Sequence, residues 1–237
     1  MTGPGVLRFD TADATHQLRP NTLVAAGYTG RDPAAVGRHI AELAAEGVPA
    51  PARVPAFYAL PPALLCQDVS VVVDTAHSSG EVEIALVHTG RQLLVTLASD
   101  HTDRALERLD VTESKRACPK PIATRAWPLD DALAERWDAL LLQSWTHPDD
   151  TGQPYQQGTA ASLLPPEDLL LRWRQERPDA AEPWVLLCGT VPTTAGVRYS
   201  GQFVARLTDP VGRRAIDLHY RVQCGDTLDT GSSRRPA

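Results

Sequence analysis

Long apolar runs are missing from this sequence of 237 residues. No stretch approaches the roughly 18 consecutive apolar residues that indicate a membrane-spanning helix. The first ten residues lack the basic, apolar and small-residue blocks of a secretory signal peptide. We therefore expect a soluble protein of the cytoplasm that makes no contact with a membrane.

Cysteine pairs and basic clusters are missing as well. The four cysteines form no CxxC pair, so neither a zinc knuckle nor a disulfide framework is indicated. The formal net charge is −6, and no segment gathers Lys and Arg as a nucleic-acid-binding face would require. The expected partner is therefore a small-molecule substrate, and no nucleic acid is expected.

Lysine is scarce. Only Lys115 and Lys120 occur, five positions apart, and arginine supplies every other basic side chain apart from histidine. Codon bias alone can produce such a composition. However, an ammonium group is compact and its pKa is easily tuned, so a functional role for this short segment is the alternative explanation.

The hydrophobic pattern predicts a mostly β fold with a few helices (α+β), in one catalytic domain over residues 1–225. A helix is predicted over residues 32–46, with Asp32 as a cap and Pro33 in the first turn. An extended, proline-rich passage follows at residues 48–62. Strands are predicted at residues 67–74, 81–88, 93–98, 169–172, 184–188, 201–207 and 215–222. The other predictions are helices at 100–107 and 130–143, a loop at 146–158 and a disordered tail at 226–237.

Two glutamates two positions apart, Glu81 and Glu83, begin the second of these strands. Alternate residues of a strand share a face, which places the two carboxylates about 6.5–7 Å apart along it. Like charges this close repel unless water or a cation separates them, and Mg²⁺ or Ca²⁺ prefers such oxygen ligands. The other explanation is a solvated strand face. Asp100, at the end of the following strand, is predicted to return to the same edge as a third ligand.

Other polar residues are weaker candidates. His39 and Glu42 lie three apart on the predicted helix, where a carboxylate can orient an imidazole as a general base, although such pairs are usually surface partners. Lys115 precedes a run of prolines that we expect to forbid regular structure, and its ammonium could neutralise an enolate or alkoxide. Cys118 is as consistent with a packed apolar residue as with a reactive thiol. Arg104 could be no more than a surface cation.

Taken in order, these segments resemble the fumarylacetoacetate hydrolase superfamily, and more closely its DUF2848 branch. The H-x-x-E segment is RHIAE, and the P-x-x-P-x-F passage is PAPARVPAFY. The strand EVEIALV and the string DHTDR match the family's metal-binding segments. Lys115 before CPKP, then LLPPED and LCGTVP, match the later motifs. The correspondence runs from about residue 28 to residue 220.

The resemblance implies a fold like the β-roll of the fumarylacetoacetase C-terminal domain and, usually, a homodimer. It implies that Glu81, Glu83 and Asp100 bind Mg²⁺ or Mn²⁺. It also implies a His39–Glu42 dyad on an N-terminal lid at about residues 28–62. The predicted substrate contacts are Lys115, Thr190, Arg104 and Ser79.

These expectations lead to one functional hypothesis with several alternatives. The hypothesis is a divalent-metal-dependent hydrolase that cleaves a carbon–carbon bond in a small 1,3-dicarbonyl or 2-oxo acid. The alternatives are a decarboxylase of a 2-oxo acid, a biosynthetic enzyme acting on a carbon–nitrogen bond or a ring, and a ligand-binding homologue without turnover. The last is favoured by one departure from the family: the lysine expected after the P-x-F passage has no counterpart, since Phe57 is followed by Tyr58 and Ala59.

Overall fold

Two main β-sheets packed face to face form the fold of residues 5–147 and 152–225, the part of the chain that this computed structural model describes. The tail predicted at residues 226–237 lies outside the described residues, as does part of the loop predicted at 146–158. Strands predominate and helices are few, so the predicted fold class is confirmed.

The strands of the described residues are numbered in chain order. They are β1 (Leu7–Asp10), β2 (Thr15–Leu18), β3 (Thr22–Gly27), β4 (Ala56–Leu60), β5 (Leu65–Cys66), β6 (Ser70–Val73), β7 (Ser78–Ser79), β8 (Val82–His88), β9 (Leu93–Ser99), β10 (Thr102–Asp103), β11 (Lys120–Pro121), β12 (Trp127–Pro128), β13 (Leu141–Trp145), β14 (Gln156–Thr159), β15 (Trp184–Thr190), β16 (Gln202–Asp209) and β17 (Arg214–Cys224).

The α-helices are α1 (Pro33–Ala45), α2 (Arg104–Glu107), α3 (Val111–Arg116), α4 (Asp131–Glu135) and α5 (Pro166–Glu176). Short 3₁₀ turns occupy Pro62–Leu64, Trp137–Ala139 and Ala160–Ser162. Helix α1 begins as predicted, because the Asp32 carboxylate accepts the backbone N–H of Ala34 and Pro33 fills the first position. None of the helices in the described ranges is long and apolar enough to cross a membrane.

The larger sheet has six strands in the order β12-β9-β8-β15-β3-β4, all antiparallel except the parallel pair β15 and β3. The second sheet has five strands in the order β14-β13-β16-β17-β6, with β17 and β6 parallel. Three small two-stranded sheets pair β1 with β2, β5 with β11, and β7 with β10.

The central strand β8 shows how the sequence builds two apolar layers. Ile84 and Leu86 point into the cluster between the two sheets, whereas Ala85 and Val87 point to the opposite face, which the β1–β2 hairpin covers. All four are fully buried. Full burial of a Val, Leu or Ile side chain stabilises the fold by about 1.5–3 kcal/mol. Burial on both faces therefore makes β8 a rigid support for the glutamates at its start.

A predicted strand and a predicted helix are wrong in type. The strand expected at residues 169–172 is part of helix α5, where Leu169 and Trp173 are buried four positions apart while Leu171 is 60% exposed. A spacing of four between buried residues is typical of a helix. The three consecutive leucines at 169–171 show no such spacing in the sequence, which is why the helix was not predicted. The helix expected at residues 130–143 ends at Glu135, and Leu142 and Ser144 are buried alternately in β13, which pairs with β16.

Two other predictions are imprecise, and a predicted loop is wrong. The strand expected at residues 67–74 is limited to Ser70–Val73, and the proline-rich passage contains strand β4. The expected loop around Lys115 is wrong, since this residue lies in helix α3, which ends before the first proline. Helix α3 begins where the Asp110 carboxylate accepts two backbone N–H groups, a capping signal that outweighs the nearby prolines.

Candidate metal and substrate site

Three carboxylates converge at the beginning of β8. Glu83 lies on β8, Glu81 directly precedes it, and Asp100 directly follows β9. The backbone N–H of Asp100 donates to the Glu81 carbonyl at 3.0 Å, which fixes the two chain segments side by side. One carboxylate oxygen from each of the three residues lies within 4.8 Å of the others. The hairpin thus brings together the three acidic residues that the sequence pattern singled out.

Glu83 is buried and has few hydrogen-bond donors around it. The backbone N–H of Gly189 donates to its Oε2 at 2.8 Å. Burial raises the pKa of Glu83 well above its ordinary value, the neighbouring Asp100 carboxylate adds to the shift, and the Lys115 ammonium opposes it. A cation at the triad would favour the ionised form of Glu83.

Asp100 is fully buried between the two lysines of the chain. Lys115 Nζ lies 2.5 Å from its Oδ2, and Lys120 Nζ lies 3.0 Å from its Oδ1. Burial alone would raise the pKa of Asp100, but the two ammonium groups hold it well below its usual range. Burial also opposes the charged form of Lys115, yet Asp100, Glu81 and Glu83 together raise its pKa above the ordinary value. The segment containing both lysines is therefore part of the site.

Lys120 differs from Lys115 in its surroundings. Its ammonium also donates to the His101 carbonyl at 2.5 Å, and burial lowers its pKa more than Asp100 raises it. The His101 ring shares hydrogen bonds with Tyr220 Oη at 2.8 Å and Ser78 Oγ at 3.0 Å. Burial and the nearby Lys120 charge lower the pKa of His101 to about 3, so its imidazole is neutral. Asp100 is thus followed by a neutral, fully hydrogen-bonded histidine.

Arg104 is an internal cation, because its side chain is only 11% exposed. Its guanidinium donates to Glu81 Oε1 at 2.9 Å, to Glu107 Oε2 at 3.0 Å and to Ser79 Oγ at 2.7 Å. Burial opposes the charge, but Glu81 and Glu107 raise the pKa of Arg104 above its ordinary value. The alternative of a surface cation is wrong. Arg104 and Ser79 are bonded to each other beside the triad, and their contact with substrate stays a prediction.

A break in strand register places Thr190 opposite Glu83. The pairing of β15 with β8 shifts between Leu187 and Thr190. Gly189 lies in this interval with φ +94°, and a Cβ there would be 2.0 Å from Thr29 Oγ1. Only glycine fits this conformation and this space. The bulge points the Gly189 N–H at Glu83 and brings the predicted substrate contact Thr190 to the edge of the triad.

Gln156 supports the base of the site, although its sequence segment predicts only a loop. Its Oε1 accepts the Val82 N–H at 2.9 Å and the Ser144 hydroxyl at 3.0 Å. Its Nε2 donates to Thr190 Oγ1 and to the Val191 carbonyl, both at 2.8 Å. Thr190 Oγ1 in turn donates to the Val82 carbonyl at 2.8 Å. This buried amide is satisfied on both sides, but a single Gln in a polar segment carries no sequence signal of that role.

Two tyrosines border the triad and were also not found from the sequence. Lys115 Nζ lies 5.6 Å from the ring centre of Tyr58, on strand β4. Tyr28 follows β3 with φ +57°, a left-handed conformation that is uncommon for an aromatic residue. Burial, followed by the neighbouring Tyr28, raises the pKa of Tyr58 to about 12, so its phenol is neutral. Both side chains are half-buried.

The predicted dyad lies on the outside of helix α1. His39 Nδ1 is 3.9 Å from Glu42 Oε2, and the two side chains are 60% and 74% exposed. Val36 is the buried residue of this helix. The His39 ring centre lies 6.3 Å from that of Tyr28, which connects the dyad to the border of the triad. The structure therefore pairs His39 with Glu42 but leaves both open to solvent.

The donor set fits a hard divalent cation. Carboxylate oxygens are the ligands that Mg²⁺ and Mn²⁺ prefer, and all three here come from well-supported backbone positions. Two of the carboxylates are buried, where an unpaired negative charge is costly. With all carboxylates ionised, Glu81, Glu83, Asp100 and Glu107 carry one more charge than Lys115, Lys120 and Arg104, so a cation improves the balance.

Comparisons with known proteins show the family and the fold of the chain. The model of the family described as "Protein of unknown function (DUF2848)" matches residues 26–220. No curated protein matched the chain in a sequence comparison. The resemblance stated from the sequence is confirmed by the family match.

Solved structures with a similar fold include a member of the fumarylacetoacetate hydrolase family. A yeast protein of that family, ynq8, is 16% identical with a TM-score of 0.60, covering 87% of this chain and 94% of its own. The 5-carboxymethyl-2-hydroxymuconate delta-isomerase of Mycobacterium smegmatis is 16% identical with a TM-score of 0.61, covering 90% and 82%. The 2-keto-3-deoxy-D-arabinonate dehydratase in its apo form is 13% identical with a TM-score of 0.59, covering 89% and 76%. These similarities establish the fold.

Proposed function

The chain belongs to the DUF2848 family, and we propose that it is a divalent-metal-dependent hydrolase that cleaves a carbon–carbon bond in a small 1,3-dicarbonyl or 2-oxo acid. The observation that carries this proposal is the convergence of Glu81, Glu83 and Asp100 on one buried point. The proposed ion is Mg²⁺ or Mn²⁺. When bound, it supplies Lewis-acid polarisation of a substrate carbonyl and orients the oxo acid.

Lys115 and Thr190 are proposed to contact the reacting part of the substrate. The Lys115 ammonium is charged and lies within the triad, 3.9 Å from Glu81 Oε2. A positive charge fixed in a buried site stabilises an enolate or oxyanion more strongly than it would in water. The Thr190 hydroxyl is held opposite Glu83, where it accepts from Gln156 and donates to the Val82 carbonyl. To donate to a substrate oxygen it must turn its single proton away from that carbonyl.

His39 is proposed to remove a proton from the attacking water, with Glu42 orienting the ring. The pair is open to solvent, so this role requires helix α1 to close over the triad. Strand β4, at the end of the predicted lid segment of residues 28–62, is paired with β3 in the larger sheet and stays in place. The single buried residue of helix α1, Val36, supports such mobility, because few apolar contacts hold the helix down. Closure would also exclude bulk water from the carboxylates and lysines.

Decarboxylation or another lyase reaction is the second candidate. The proteins that share this fold include one named as an isomerase and one named as a dehydratase. Stabilisation of an enolate by Lys115 would serve these reactions as well as hydrolysis. The identity of the products separates the candidates.

The test combines purified protein, Mg²⁺ or Mn²⁺ and a panel of 2,4-dioxo acids and 2-oxo acids. Hydrolysis releases two acids from a 2,4-dioxo acid, whereas decarboxylation releases carbon dioxide, and both are measured by chromatography and manometry. The Glu83→Gln variant should lose turnover together with metal binding. Turnover that persists in this variant would contradict the proposal, and metal-dependent ligand binding without products would favour a ligand-binding homologue. We also propose a homodimer, which light scattering in solution would test.

A further inference from the structure

We propose that Tyr28 and Tyr58 form a wall that receives the tail of the substrate, and that this tail is an uncharged aromatic or otherwise planar group. This inference rests on the proposed function, since it assumes that the metal and Lys115 bind an oxo-acid head. It adds the chemical class of the remainder of the substrate.

The position of Tyr58 beside the triad is fixed by the backbone around it. Tyr58 lies opposite Ala25 in the pairing of β4 with β3, and its ring crosses over Gly27. A Cβ on Gly27 would be 2.9 Å from Tyr58 Cε2. The missing side chain of Gly27 therefore makes the space in which the ring lies, next to the Lys115 ammonium.

Tyr28 borders the same region from the neighbouring chain segment. Tyr28 directly follows Gly27, over which the Tyr58 ring lies, and its own ring centre is 6.3 Å from that of His39. Its backbone is in the left-handed region, where glycine or asparagine would be less strained. A conformation of this kind at the border of a candidate site is the type of strain that accompanies ligand contact.

The cations around the triad are already paired with protein carboxylates. Lys115 and Lys120 lie on the two oxygens of Asp100, and Arg104 bonds Glu81 and Glu107. The oxo-acid head of the substrate can bind both Lys115 and the metal. A second carboxylate, on the tail of the substrate, would lie against the phenol rings and near the negative charges of Glu81 and Glu107. These surroundings disfavour a charged tail.

Two tyrosine rings offer a different recognition chemistry. Aromatic rings bind planar apolar groups by stacking or edge-to-face contact, and their hydroxyls provide neutral hydrogen bonds at the rim. A phenol is neutral at neutral pH, and burial raises the pKa of both tyrosines further above the ordinary value. The site thus combines a charged end at Lys115 with an aromatic end at Tyr28 and Tyr58.

The experiment uses inert probes with one oxalate-like head and different tails: N-phenyl-, N-methyl- and N-carboxymethyl-oxamate. Their dissociation constants are measured by calorimetry with saturating Mg²⁺, and oxalate serves as the head alone. The phenyl probe should bind about tenfold more tightly than the carboxymethyl probe, the upper range for one aromatic contact. Equal binding of the three probes, or tighter binding of the carboxymethyl probe, overturns the inference.

Four variants identify the residues responsible. Tyr58→Leu retains apolar volume but removes the aromatic ring, so it should remove most of the preference for N-phenyl- over N-methyl-oxamate. Tyr58→Phe retains the ring and should keep this preference. Gly27→Ala, which displaces the Tyr58 ring without replacing it, should also reduce the preference. Tyr199→Ala is the control, because Tyr199 is 51% exposed and contacts His77 instead. An unchanged preference in both Tyr58→Leu and Gly27→Ala overturns the inference. Failure of oxalate and all three oxamates to bind would overturn the proposed function along with it.

Discussion

Lys115 and Lys120 lie against opposite oxygens of the same buried carboxylate, that of Asp100. They are the only lysines among 237 residues. Two ammonium groups on one carboxylate keep Asp100 ionised at neutral pH, in a place where burial alone would favour the protonated acid. Whatever the reason for the scarcity of lysine in the rest of the chain, the placement of these two keeps the buried Asp100 carboxylate ionised.

Removal of the inner lysine should destabilise the protein strongly. Lys120→Met leaves Asp100 Oδ1 and the His101 carbonyl without their buried donor. Loss of one partner of a buried ion pair costs about 3–5 kcal/mol. The control is Arg206→Met, which breaks an exposed pair with Asp217 and should cost no more than about 1 kcal/mol. Urea unfolding gives both values, and equal losses would show that Lys120 is not a structural charge.

Glu83→Gln should abolish stabilisation by Mg²⁺ while keeping the shape of the side chain. The amide cannot supply the negative oxygen that the cation requires. Thermal unfolding with and without Mg²⁺ measures the effect as a shift in Tm. Glu135→Gln, at an exposed position of helix α4, should keep the full shift. A normal Mg²⁺-dependent shift in Glu83→Gln would exclude Glu83 as a ligand.

Stabilisation by Mg²⁺ should increase as the pH rises. The pKa of Glu83 is raised in the folded protein, so its contribution to stability is present below the ordinary value of 4.5 and is lost as the pH rises through the folded pKa. The ionised form that remains is the one that binds a cation. The Tm shift should therefore be larger at about pH 8 than at about pH 5.5. A shift that does not change with pH would contradict the raised pKa.

Acid should act on Asp100 with the opposite sign. Its folded pKa is depressed, so the stability it contributes is present above its ordinary value of 3.8 and is lost as the pH falls towards the folded pKa. Urea unfolding of the protein and of Lys120→Met across the acidic range should show the two stabilities approaching each other at low pH. A constant difference between them would contradict an ionised Asp100.

Gly189→Ala should damage both the fold and the metal site. The substitution combines a left-handed backbone with a Cβ that would be 2.0 Å from Thr29 Oγ1. Gly90→Ala is a close control, because Gly90 has φ +88° and open space where the Cβ would lie. Gly90→Ala should cost about 1–2 kcal/mol, whereas Gly189→Ala should cost more and also weaken Mg²⁺ binding. Equal effects would mean that the contact with Thr29 is unimportant.

The sequence predicted the part of the site that depends on local pattern. Alternation along residues 81–88 placed Glu83 on one face of β8, and the length of the following hairpin returned Asp100 to the same edge. Helix α1 was recognisable because Asp32 and Pro33 mark its start. These features need only the period of an element and the residues that end it.

Long-range contacts account for what the sequence did not predict. Gln156 and Tyr58 join the site through contacts with segments far away in the chain. Gln156 belongs to no motif, and Tyr58 drew notice only as the residue after Phe57, where the family lysine is missing. Helix α5 was taken for a strand because three successive leucines fit either type, until Trp173 is seen packed against Trp184. The positive φ of Tyr28 likewise has no signature in its residue type.

The amide of Gln156 links both layers of the fold at a single point. Gln156 and Ser144 belong to the smaller sheet, whereas Val82 and Thr190 belong to the larger one. Sliding of one layer against the other would break these bonds directly beneath Glu83. Substitutions in the smaller sheet, away from the three converging carboxylates, should therefore alter how firmly the cation is held, and screens for altered metal affinity should find them there.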